Sequence, residues 1–306
     1  MLTMKPPIEP NKEDCCNSGC NPCIFEVFEK QLQLYKKCKE NDEILMTEEN
    51  GISQLEYSSF FISDIVELTE NLRILKFKKL RTDSNTKIFW NAGDHFLLKY
   101  NDGNMSCSRA YTPIKLKKSY LDDFDFLIVV KKYSEGLVSQ YLFTLEKGNE
   151  TLWRGPYGHY NVLENKFKRI IMIAQGTGIA PFIYIIDQIL NDEDNMTKLV
   201  LFFCCKSLNE ILFRNELYEF KSYWNFQYHI YLSDRWNDNK NKVMYSEPII
   251  ERKLRADDLV EIKPCNSDQF LVCGSQQFMR DFDHILKKEL CVENIVNKIL
   301  EKIVTI

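Results

Sequence analysis

Glycine is scarce in this sequence, with 11 glycines among 306 residues, about half of the ~7% that is usual. Seven of the 11 fall in five short stretches, "AGDH", "SEGLVS", "RGPYG", "AQGTGIAP" and "CGSQ". A chain that otherwise avoids glycine keeps it where the backbone needs a positive φ or where another group must come close. We therefore expect ligand contacts at these five stretches.

The sequence also lacks an excess of positive charge. It has 40 Lys and Arg against 44 Asp and Glu, a net charge of −4, whereas nucleic-acid-binding domains normally carry a basic patch or stripe. The lysine-rich pieces "KFKKL" and "IKLKKSY" have acidic neighbours, and such runs are typical of solvated faces. These features argue against a nucleic-acid partner.

A segment able to cross a membrane is missing from the sequence. The stretch "MLTMKPPIEPNKE" has neither the apolar core of a signal peptide nor an arginine-rich amphipathic pattern. The one long apolar run, residues 170–186, is interrupted by "QGTG" and by Pro181, which favours a strand, a turn and a helix over a spanning helix. We expect a cytoplasmic protein, or one held peripherally at a membrane through a partner.

Cysteine, in contrast, is plentiful, with 11 residues. An odd number in a chain expected to be cytoplasmic argues against a disulfide framework. Four of them, Cys15, Cys16, Cys20 and Cys23, lie together in "DCCNSGCNPC". Four thiolates could bind Zn or hold an iron–sulfur cluster. Because adjacent cysteines strain a single-ion site, reduced and unligated cysteines remain the alternative.

Hydrophobic periodicity divides the chain into four parts. Residues 1–40 are a cysteine-rich unit ending in "CIFEVFEKQLQLYKKCK", an amphipathic helix that should dock on the main body or on a partner. Residues 41–54 are the expected linker. Residues 55–165 contain short strand-like runs separated by turns, which predicts an antiparallel barrel. Residues 166–306 alternate apolar strands with helices, which predicts a parallel sheet covered on both faces.

The "QGTGIAP" segment is the strongest binding signal of the second half. Tight glycines at the carboxyl end of a strand let a ligand approach the backbone, and the following helix N-terminus offers free N–H groups to a phosphate. A Gly-x-Gly turn alone can be a mere tight connection, but its strand–turn–helix context favours a nucleotide site. Further helices are predicted at "GLVSQYLFTL", "EILFRNELYEFKSY", "SEPIIERKL" and "QQFMRDFDHILKKEL".

In the first half, "RAYTP" places Arg109 and Tyr111 on one face of a strand that ends at Pro113. An arginine there suits a pyrophosphate, an aromatic ring suits a flat ring system, and Thr112 can hydrogen-bond a ring nitrogen. Without further context, a surface arginine and a core tyrosine are the favoured interpretation of these residues.

Nine motifs occur in order at plausible spacings: "GDHFLLKY", "RAYTPI", "VVKKY", "GLVSQYL", "RGPYG", "MIAQGTGIAP", "LFFCCKSLNEILFRNEL", "YLSDR" and "LVCGSQQFM". In this order they resemble the NADH–cytochrome b5 reductase family of the ferredoxin–NADP reductase superfamily, over roughly residues 56–290. The resemblance implies a two-domain α+β fold. An antiparallel flavin-binding β-barrel precedes an α/β parallel-sheet domain that binds the nicotinamide coenzyme, with FAD at their interface. The cysteine-rich segment resembles the oxidoreductase-like N-terminal domain found before some of these reductases.

On the flavin side, the resemblance implies cofactor contacts from Arg109, Tyr111, Thr112, Lys131, Tyr133, Gly136, Val138 and Ser139. Arg109 should bind the FAD pyrophosphate, Tyr111 should lie against the isoalloxazine, and Thr112 should hydrogen-bond near its N5. Gly136, Val138 and Ser139 match a G-x-[MV]-S pattern that holds phosphates. Gly155, Pro156 and Gly158 match the GPxG turn of the family. His95, in a "GDH" turn, is interpreted as structural.

On the nicotinamide side, the resemblance implies contacts from Gly176, Thr177, Gly178, Asp234, Cys273 and Gly274. Thr112 and Cys273 are the candidate catalytic residues. Asp234 follows a strand at the position where the family distinguishes NADH from NADPH. A carboxylate there accepts bonds from ribose hydroxyls and repels a 2′-phosphate, which favours NADH.

The sequence departs from the family pattern at four places. Gln175 stands where a glycine is common, and Ala180 stands where a threonine is common. "CGSQQFM" replaces a proline-rich run after the CG pair, and the chain ends in "NKILEKIVTI" rather than in an aromatic residue. These departures bear on coenzyme choice and turnover rather than on the fold.

The resemblance implies an FAD-dependent oxidoreductase, which we expect to be a monomer. It would take a hydride from NADH and pass electrons singly to an acceptor protein such as cytochrome b5. The alternative is a metal-binding or scaffold protein that keeps the reductase fold with little turnover, with Cys15, Cys16, Cys20 and Cys23 as the metal ligands.

Overall fold

The computed structural model describes residues 6–15, 23–40, 50–79, 87–103, 105–119, 121–158, 160–234 and 246–296. Within them lie two six-stranded sheets. The helices are α1 (Ile24–Glu40), α2 (Leu137–Thr144), α3 (Ala180–Leu190), α4 (Arg214–Phe220), α5 (Ala256–Glu261) and α6 (Gln276–His284). No helix of the described part of the chain combines the length and apolarity needed to cross a bilayer.

The first sheet is antiparallel, with the strand order β4-β3-β6-β1-β2-β5. Its strands are β1 (Ser58–Thr69), β2 (Leu72–Lys79), β3 (His95–Asn101), β4 (Ser106–Tyr111), β5 (Phe126–Lys131) and β6 (Glu150–Tyr157). Ile114, just after β4, exchanges backbone hydrogen bonds of 2.9 Å with Leu127 of β5, so the two edges of the sheet meet. Alternate side chains point inward and form an aromatic core in which Phe77 and Trp153 contact edge to face at 5.1 Å.

The "RGPYG" segment differs from the expected turn. Gly155 and Pro156 lie inside β6, next to an irregularity in the pairing of β3 with β6 between His95 and Leu97. A proline is tolerated in a strand at such an irregularity because no ladder hydrogen bond is required of it there. Gly155 is needed because a Cβ would lie 2.6 Å from the Phe96 ring. Because glycine and proline are typical of turns, the sequence did not indicate that β6 continues through Gly155 and Pro156.

The second sheet is parallel, with the strand order β10-β9-β8-β7-β11-β12. Its strands are β7 (Arg169–Gln175), β8 (Lys198–Cys205), β9 (Phe226–Leu232), β10 (Ile249–Ile250), β11 (Asp268–Cys273) and β12 (Ile295–Val296). One face packs on α3 and α4 and the other on α5 and α6, as the apolar strands predict.

Two of the helices predicted in this half differ from the structure: one is absent and the other begins later in the chain. The "SEPIIERKL" segment contains the short strand β10, which pairs with β9 at Ile249 and Ile250, instead of a helix. The helix predicted from Glu210 begins only at Arg214, because Phe213 has a left-handed backbone with a φ of 56°. In both segments the long-range packing of the chain outweighs helical spacing.

The lysine-rich segment "IKLKKSY" is only partly a solvated face, because Lys117 and Lys118 are exposed but Lys115 is not. Lys115 is buried, and its ammonium donates to the carbonyl oxygens of Asp122 at 3.1 Å and Phe124 at 2.6 Å. It also lies over the Phe124 ring at 3.7 Å. Burial lowers the pKa of Lys115, and three nearby aspartates oppose that shift. The sequence pattern could not reveal this burial because the partners are mostly backbone carbonyls.

The next two lysines join the barrel to the parallel-sheet domain. The backbone N–H of Lys117 donates to the carboxylate of Asp187 in α3 at 2.9 Å, and Lys118 forms ion pairs with Glu216 and Glu219 of α4. Burial raises the pKa of Asp187, and the Lys117 N–H opposes that rise. These contacts therefore hold the barrel against α3 and α4.

Helix α1 docks on the outside of the barrel, as its amphipathic spacing predicted. Val27 is buried against Leu97 and Tyr157, with Ala110 of β4 packed at the edge of the same cluster. The buried guanidinium of Arg154 donates to the backbone carbonyl of Asp14. The N-terminal unit therefore lies behind β4, on the face of that strand opposite to Arg109 and Tyr111.

We expect Val27→Asp to release α1 from the barrel, because it places a carboxylate in an apolar contact that buries a valine, at a cost of about 2–4 kcal/mol. The rate of proteolysis within α1 should rise strongly. Leu34→Asp, at an exposed position of the same helix, should change that rate little. Equal rates for the two variants would mean that α1 is not held by Val27.

Candidate functional site

A cleft of about 840 Å³ lies between the barrel and the carboxyl ends of the parallel strands. Ligands of open α/β sheets bind at this end because the strands lead there into loops and helix N-termini. Eight of the residues predicted from the sequence line the cleft together: Thr112, Lys131, Tyr133, Gly176, Thr177, Gly178, Cys273 and Gly274. Residues from two predicted domains therefore meet in one concave site.

The barrel contributes one wall of the cleft. Thr112 is buried just after β4, whereas the Tyr133 ring is 42% exposed, which leaves its surface available to a flat ligand. Lys131, at the end of β5, crosses the cleft to form a 2.9 Å ion pair with Glu210, which follows β8. Glu210 was missed by the sequence reasoning, although its place after a central parallel strand could have indicated it.

Arg109 and Tyr111 lie on β4 but outside the residues that line this cleft. The Arg109 guanidinium donates to the Ser108 carbonyl at 3.2 Å, and no carboxylate of the described residues forms an ion pair with it. The Tyr111 ring packs edge to face with Trp153 at 6.0 Å. Burial raises the pKa of the Tyr111 hydroxyl, so this tyrosine is neutral at physiological pH.

The "SEGLVS" glycine opens α2 through a tight local network. The Ser139 hydroxyl accepts from the Tyr133 backbone N–H at 3.1 Å and donates to the Gly136 carbonyl at 2.8 Å. A Cβ on Gly136 would lie 2.5 Å from that hydroxyl oxygen, so only glycine fits there. Val138 is buried in the barrel core. The amino end of α2 is thus held rigidly beside Tyr133.

Arg73 holds the other end of α2. Its guanidinium donates to the carbonyl oxygens of Leu142 at 3.3 Å and Phe143 at 2.9 Å. A cation at the carboxyl end of a helix satisfies carbonyls that have no partner within the helix. The position of α2 against the barrel is therefore determined at both ends.

The "QGTG" turn forms the floor of the cleft on the side of the parallel sheet. Residues Gly176–Ile179 make one 3-10 turn before α3. Gly176 has a φ of +53° and no atom within 4 Å of an added Cβ, whereas a Cβ on Gly178 would lie 2.5 Å from the Cys273 carbonyl oxygen. The first glycine therefore provides a left-handed turn in open space. The second permits close packing of the turn on the end of β11.

Three thiols line the cleft, of which the sequence predicted only Cys273. Burial raises the pKa of Cys273, and it raises that of Cys204 to about 12. Cys205 is also buried, and its pKa is raised for the same reason. All three are therefore protonated at neutral pH and are poor nucleophiles. Cys204 and Cys205 end β8, a position from which their presence in the cleft could have been inferred.

Two further residues singled out in the sequence, Asp234 and His95, also lie outside the cleft lining. The backbone N–H of Asp234 donates to the Lys206 carbonyl at 3.0 Å. Lys206 and Ser233 line the cleft at this point, but Asp234 does not. His95 is buried in β3, with its ring 5.8 Å from that of Tyr157.

Only two of the four clustered cysteines lie within the described residues. Cys16 and Cys20 lie outside the described residues, and Cys15 and Cys23 are half-buried free cysteines. Within the described ranges, no group of three or more His, Cys, Asp or Glu side chains is placed to hold a metal ion.

The fold and the cleft define a two-domain oxidoreductase that binds two nucleotides. Three family models match the chain: the oxidoreductase FAD-binding domain at residues 59–162, the oxidoreductase NAD-binding domain at 172–284, and the N-terminal domain of oxidoreductase-like proteins at 2–43. The chain therefore contains an FAD-binding and an NAD-binding oxidoreductase domain, and over most of its length it is similar to NADH-cytochrome b5 reductase-like proteins.

Among curated proteins, the chain is 28% identical to the mouse NADH-cytochrome b5 reductase-like protein over 294 residues, covering 92% of this chain and 90% of the relative. It is 27% identical to the human protein of the same name over 286 residues, with the same coverage. It is 33% identical to the plasma membrane-associated coenzyme Q6 reductase PGA3 of Saccharomyces cerevisiae, over 59% of this chain and 57% of that protein.

Solved structures support the fold. The cytochrome b5 reductase domain of Ulva prolifera nitrate reductase matches with a TM-score of 0.65 at 21% identity, covering 81% of this chain and 99% of that one. The CS-b5R domains of human Ncb5or in their NAD+ form match with a TM-score of 0.64 at 20% identity, covering 78% of this chain and 68% of that one.

Proposed function

We propose that the chain is an FAD-dependent oxidoreductase that takes a hydride from NADH and passes electrons singly to an acceptor protein such as cytochrome b5. One observation carries the proposal. In the cleft, Thr112 and Tyr133 of the barrel face Thr177 and the Cys273–Gly274 pair of the parallel sheet. This is the arrangement needed to bring two flat ring systems, one from each domain, into contact.

The residues present fit FAD. The rigid start of α2 beside Tyr133 offers backbone N–H groups to phosphate. The Arg109 guanidinium, without an ion pair in the described chain, can neutralise a pyrophosphate. The partly exposed Tyr133 ring can cover an aromatic face. Bound FAD would supply the chemistry of accepting two electrons from NADH and releasing them one at a time.

The protein itself would bind, orient and exclude water. Thr112 is buried and carries a hydroxyl that can donate to or accept from a ring nitrogen. Cys273, kept neutral by burial, presents an uncharged surface that does not repel a hydride donor. The Lys117 and Lys118 contacts hold the two domains at a constant separation, which preserves the alignment of the two ring systems.

For the coenzyme, we propose that NADH lies along the carboxyl ends of β7, β8 and β11. Gly176 and the amino end of α3 would face the nicotinamide nucleotide, and Asp234 would accept from the adenosine ribose hydroxyls. Lys206 and Ser233, which line the cleft next to Asp234, add polar groups at that end. We also propose domain boundaries at 1–40, 41–54, 55–165 and 166–306.

Purified protein tests this function directly. We expect a yellow protein whose flavin absorbance is bleached by NADH in the absence of oxygen, and whose reduced form then reduces cytochrome b5. Because one relative is named a coenzyme Q6 reductase, a short-chain quinone belongs in the same acceptor screen. A colourless protein that cannot be reconstituted with FAD would contradict the proposal and would favour a scaffold role.

Arg109→Leu should weaken FAD binding by about 10- to 100-fold, the loss expected when a charge-assisted bond to phosphate is removed. The flavin content after gel filtration and the dissociation constant for FAD measure this loss. Arg280→Leu, an exposed arginine outside the cleft lining, is the matched control. If both variants retain flavin equally, Arg109 does not bind the pyrophosphate.

A further inference from the structure

Gln175 joins the two loops at the floor of the cleft. It is the last residue of β7, and its side-chain oxygen Oε1 accepts from the backbone N–H of Ser275 at 3.1 Å. Ser275 follows β11, the parallel neighbour of β7. Gln175 is exposed, and both residues line the cleft.

This hydrogen bond determines the orientation of the glutamine amide. A backbone N–H can only donate, so the atom that accepts from it must be the carbonyl oxygen and not the NH2 group. The NH2 group therefore lies on the other branch of the amide. Within the described chain it has no hydrogen-bond acceptor. Gln175 thus presents two oriented donors without a partner in the cleft.

Two of the departures from the family pattern, Gln175 and Ser275, depend on each other. A proline at position 275 would have no N–H to donate, and a glycine at position 175 would have no side chain to accept. Ser275 has the N–H, and its hydroxyl also accepts from Phe278 N–H at 3.3 Å to cap α6. A Cβ on Gly274 would lie 2.7 Å from the Gln175 Cβ, so the glutamine stem also packs directly on this loop.

We propose that Gln175 is a coenzyme-recognition residue, whose NH2 group donates to the carboxamide oxygen of the nicotinamide and whose orientation is set by the Ser275 N–H. The inference rests on the proposed function. It is favoured by position, because Gln175 immediately precedes the Gly176–Ile179 turn and lies across from the Cys273–Gly274 pair. The carboxamide is the polar group of the nicotinamide ring, and an oriented amide donor recognises its oxygen specifically.

The first part of the test compares Gln175→Leu with the parent chain. In the parent, NADH should reduce the bound flavin. In the variant, the KM for NADH should rise about three- to tenfold, as for the loss of one neutral hydrogen bond, with kcat nearly unchanged because the contact is present in both ground and transition states. Gln227→Leu, an exposed glutamine near the start of β9, is the matched control and should match the parent.

The second part separates the two ends of the coenzyme and tests the orienting bond. ADP-ribose lacks the nicotinamide, so its inhibition constant should be the same for Gln175→Leu and the parent. Ser275→Pro should also raise the KM for NADH, but should add nothing in the Gln175→Leu background, because the two residues act through one contact.

Four contrary results are distinguishable, and each bears on a different part of the inference. An unchanged KM in Gln175→Leu would overturn the inference while leaving the proposed function intact. Equal weakening of NADH and ADP-ribose binding would place the donor on the adenosine side and would also overturn it. Additive effects of the two substitutions would remove Ser275 from the mechanism. A parent chain whose bound flavin NADH does not reduce would reject the proposed function itself, and this inference with it.

Discussion

Gly178→Ala is expected to lower the free energy of unfolding by about 3 kcal/mol, at the upper end of the cost of overpacking, and to reduce the rate of flavin reduction by NADH at least tenfold. The added Cβ would lie 2.5 Å from the carbonyl oxygen of Cys273, 2.7 Å from its carbonyl carbon and 2.9 Å from the nitrogen of Gly274. All three are backbone atoms, which cannot rotate away. The 3-10 turn and the end of β11 must therefore separate, and these two segments form the floor of the cleft.

Gly176→Ala is the matched comparison. Gly176 has a φ of +53° and nothing within 4 Å of an added Cβ, so its alanine variant should lose only about 1 kcal/mol through backbone strain. Chemical denaturation measures both stabilities, and stopped-flow absorbance of the bound flavin measures both rates. Equal losses of stability in the two variants would show that the contact of Gly178 with Cys273 is not the cause.

Asp268→Asn should be the most destabilising of the polar substitutions considered, by about 3 kcal/mol. Asp268 is 1% exposed at the start of β11. It accepts from Arg169 Nε at 2.8 Å, from Arg169 Nη2 at 2.6 Å and from the Cys265 N–H at 2.8 Å. Removing its charge leaves the Arg169 guanidinium partly buried without its counter-ion, at the beginning of the central strands β7 and β11.

This ion pair also predicts a pH dependence. Burial on its own would raise the pKa of Asp268, but the hydrogen bonds from Arg169 and from Cys265 N–H outweigh burial and hold the pKa below its ordinary value of 3.8. The stabilisation is therefore fully present above about pH 4 and is lost as the pH falls through the lowered pKa. Asp268→Asn should reduce the acid sensitivity of the unfolding free energy.

Urea unfolding followed by tryptophan fluorescence at pH 7 and at pH 3 tests both statements. Asp123→Asn breaks a surface ion pair with Lys78 in which the aspartate side chain is 86% exposed, and should change stability by no more than about 0.5 kcal/mol. A loss in Asp268→Asn as small as that of the surface variant would mean that the Arg169 pair contributes nothing.

The sequence predicted the site well where the signal is local. The strand, turn and helix around "QGTGIAP" were found because apolar runs, glycines and a proline in the first helical turn are all close in the chain. Cys273 falls beside this turn because it ends β11, and the carboxyl ends of parallel strands meet at one edge of the sheet. Thr112, Lys131 and Tyr133 belong to the antiparallel barrel, and the packing of the barrel on that edge brings them into the same cleft.

The sequence-based predictions were wrong for segments whose structure depends on residues far away in the chain. The β6 strand was hidden by Gly155 and Pro156, because it is held by pairing with β1 and β3 rather than by its own propensity. The "SEPIIERKL" helix was wrong because β9 offered an unpaired edge to Ile249 and Ile250. Lys115 was misjudged because backbone carbonyls, which leave no trace in a charge pattern, surround its ammonium.

By itself, then, the sequence determined the order of the two nucleotide-binding units, the glycine turns and the residue types that meet at the cleft, since these depend on periodicity and local backbone preference. Only the tertiary structure decided that Gln175 accepts from Ser275, that Lys131 pairs with Glu210, and that α1 docks behind β4. These contacts join residues far apart in the chain, so strand register and domain packing, rather than local pattern, determine them.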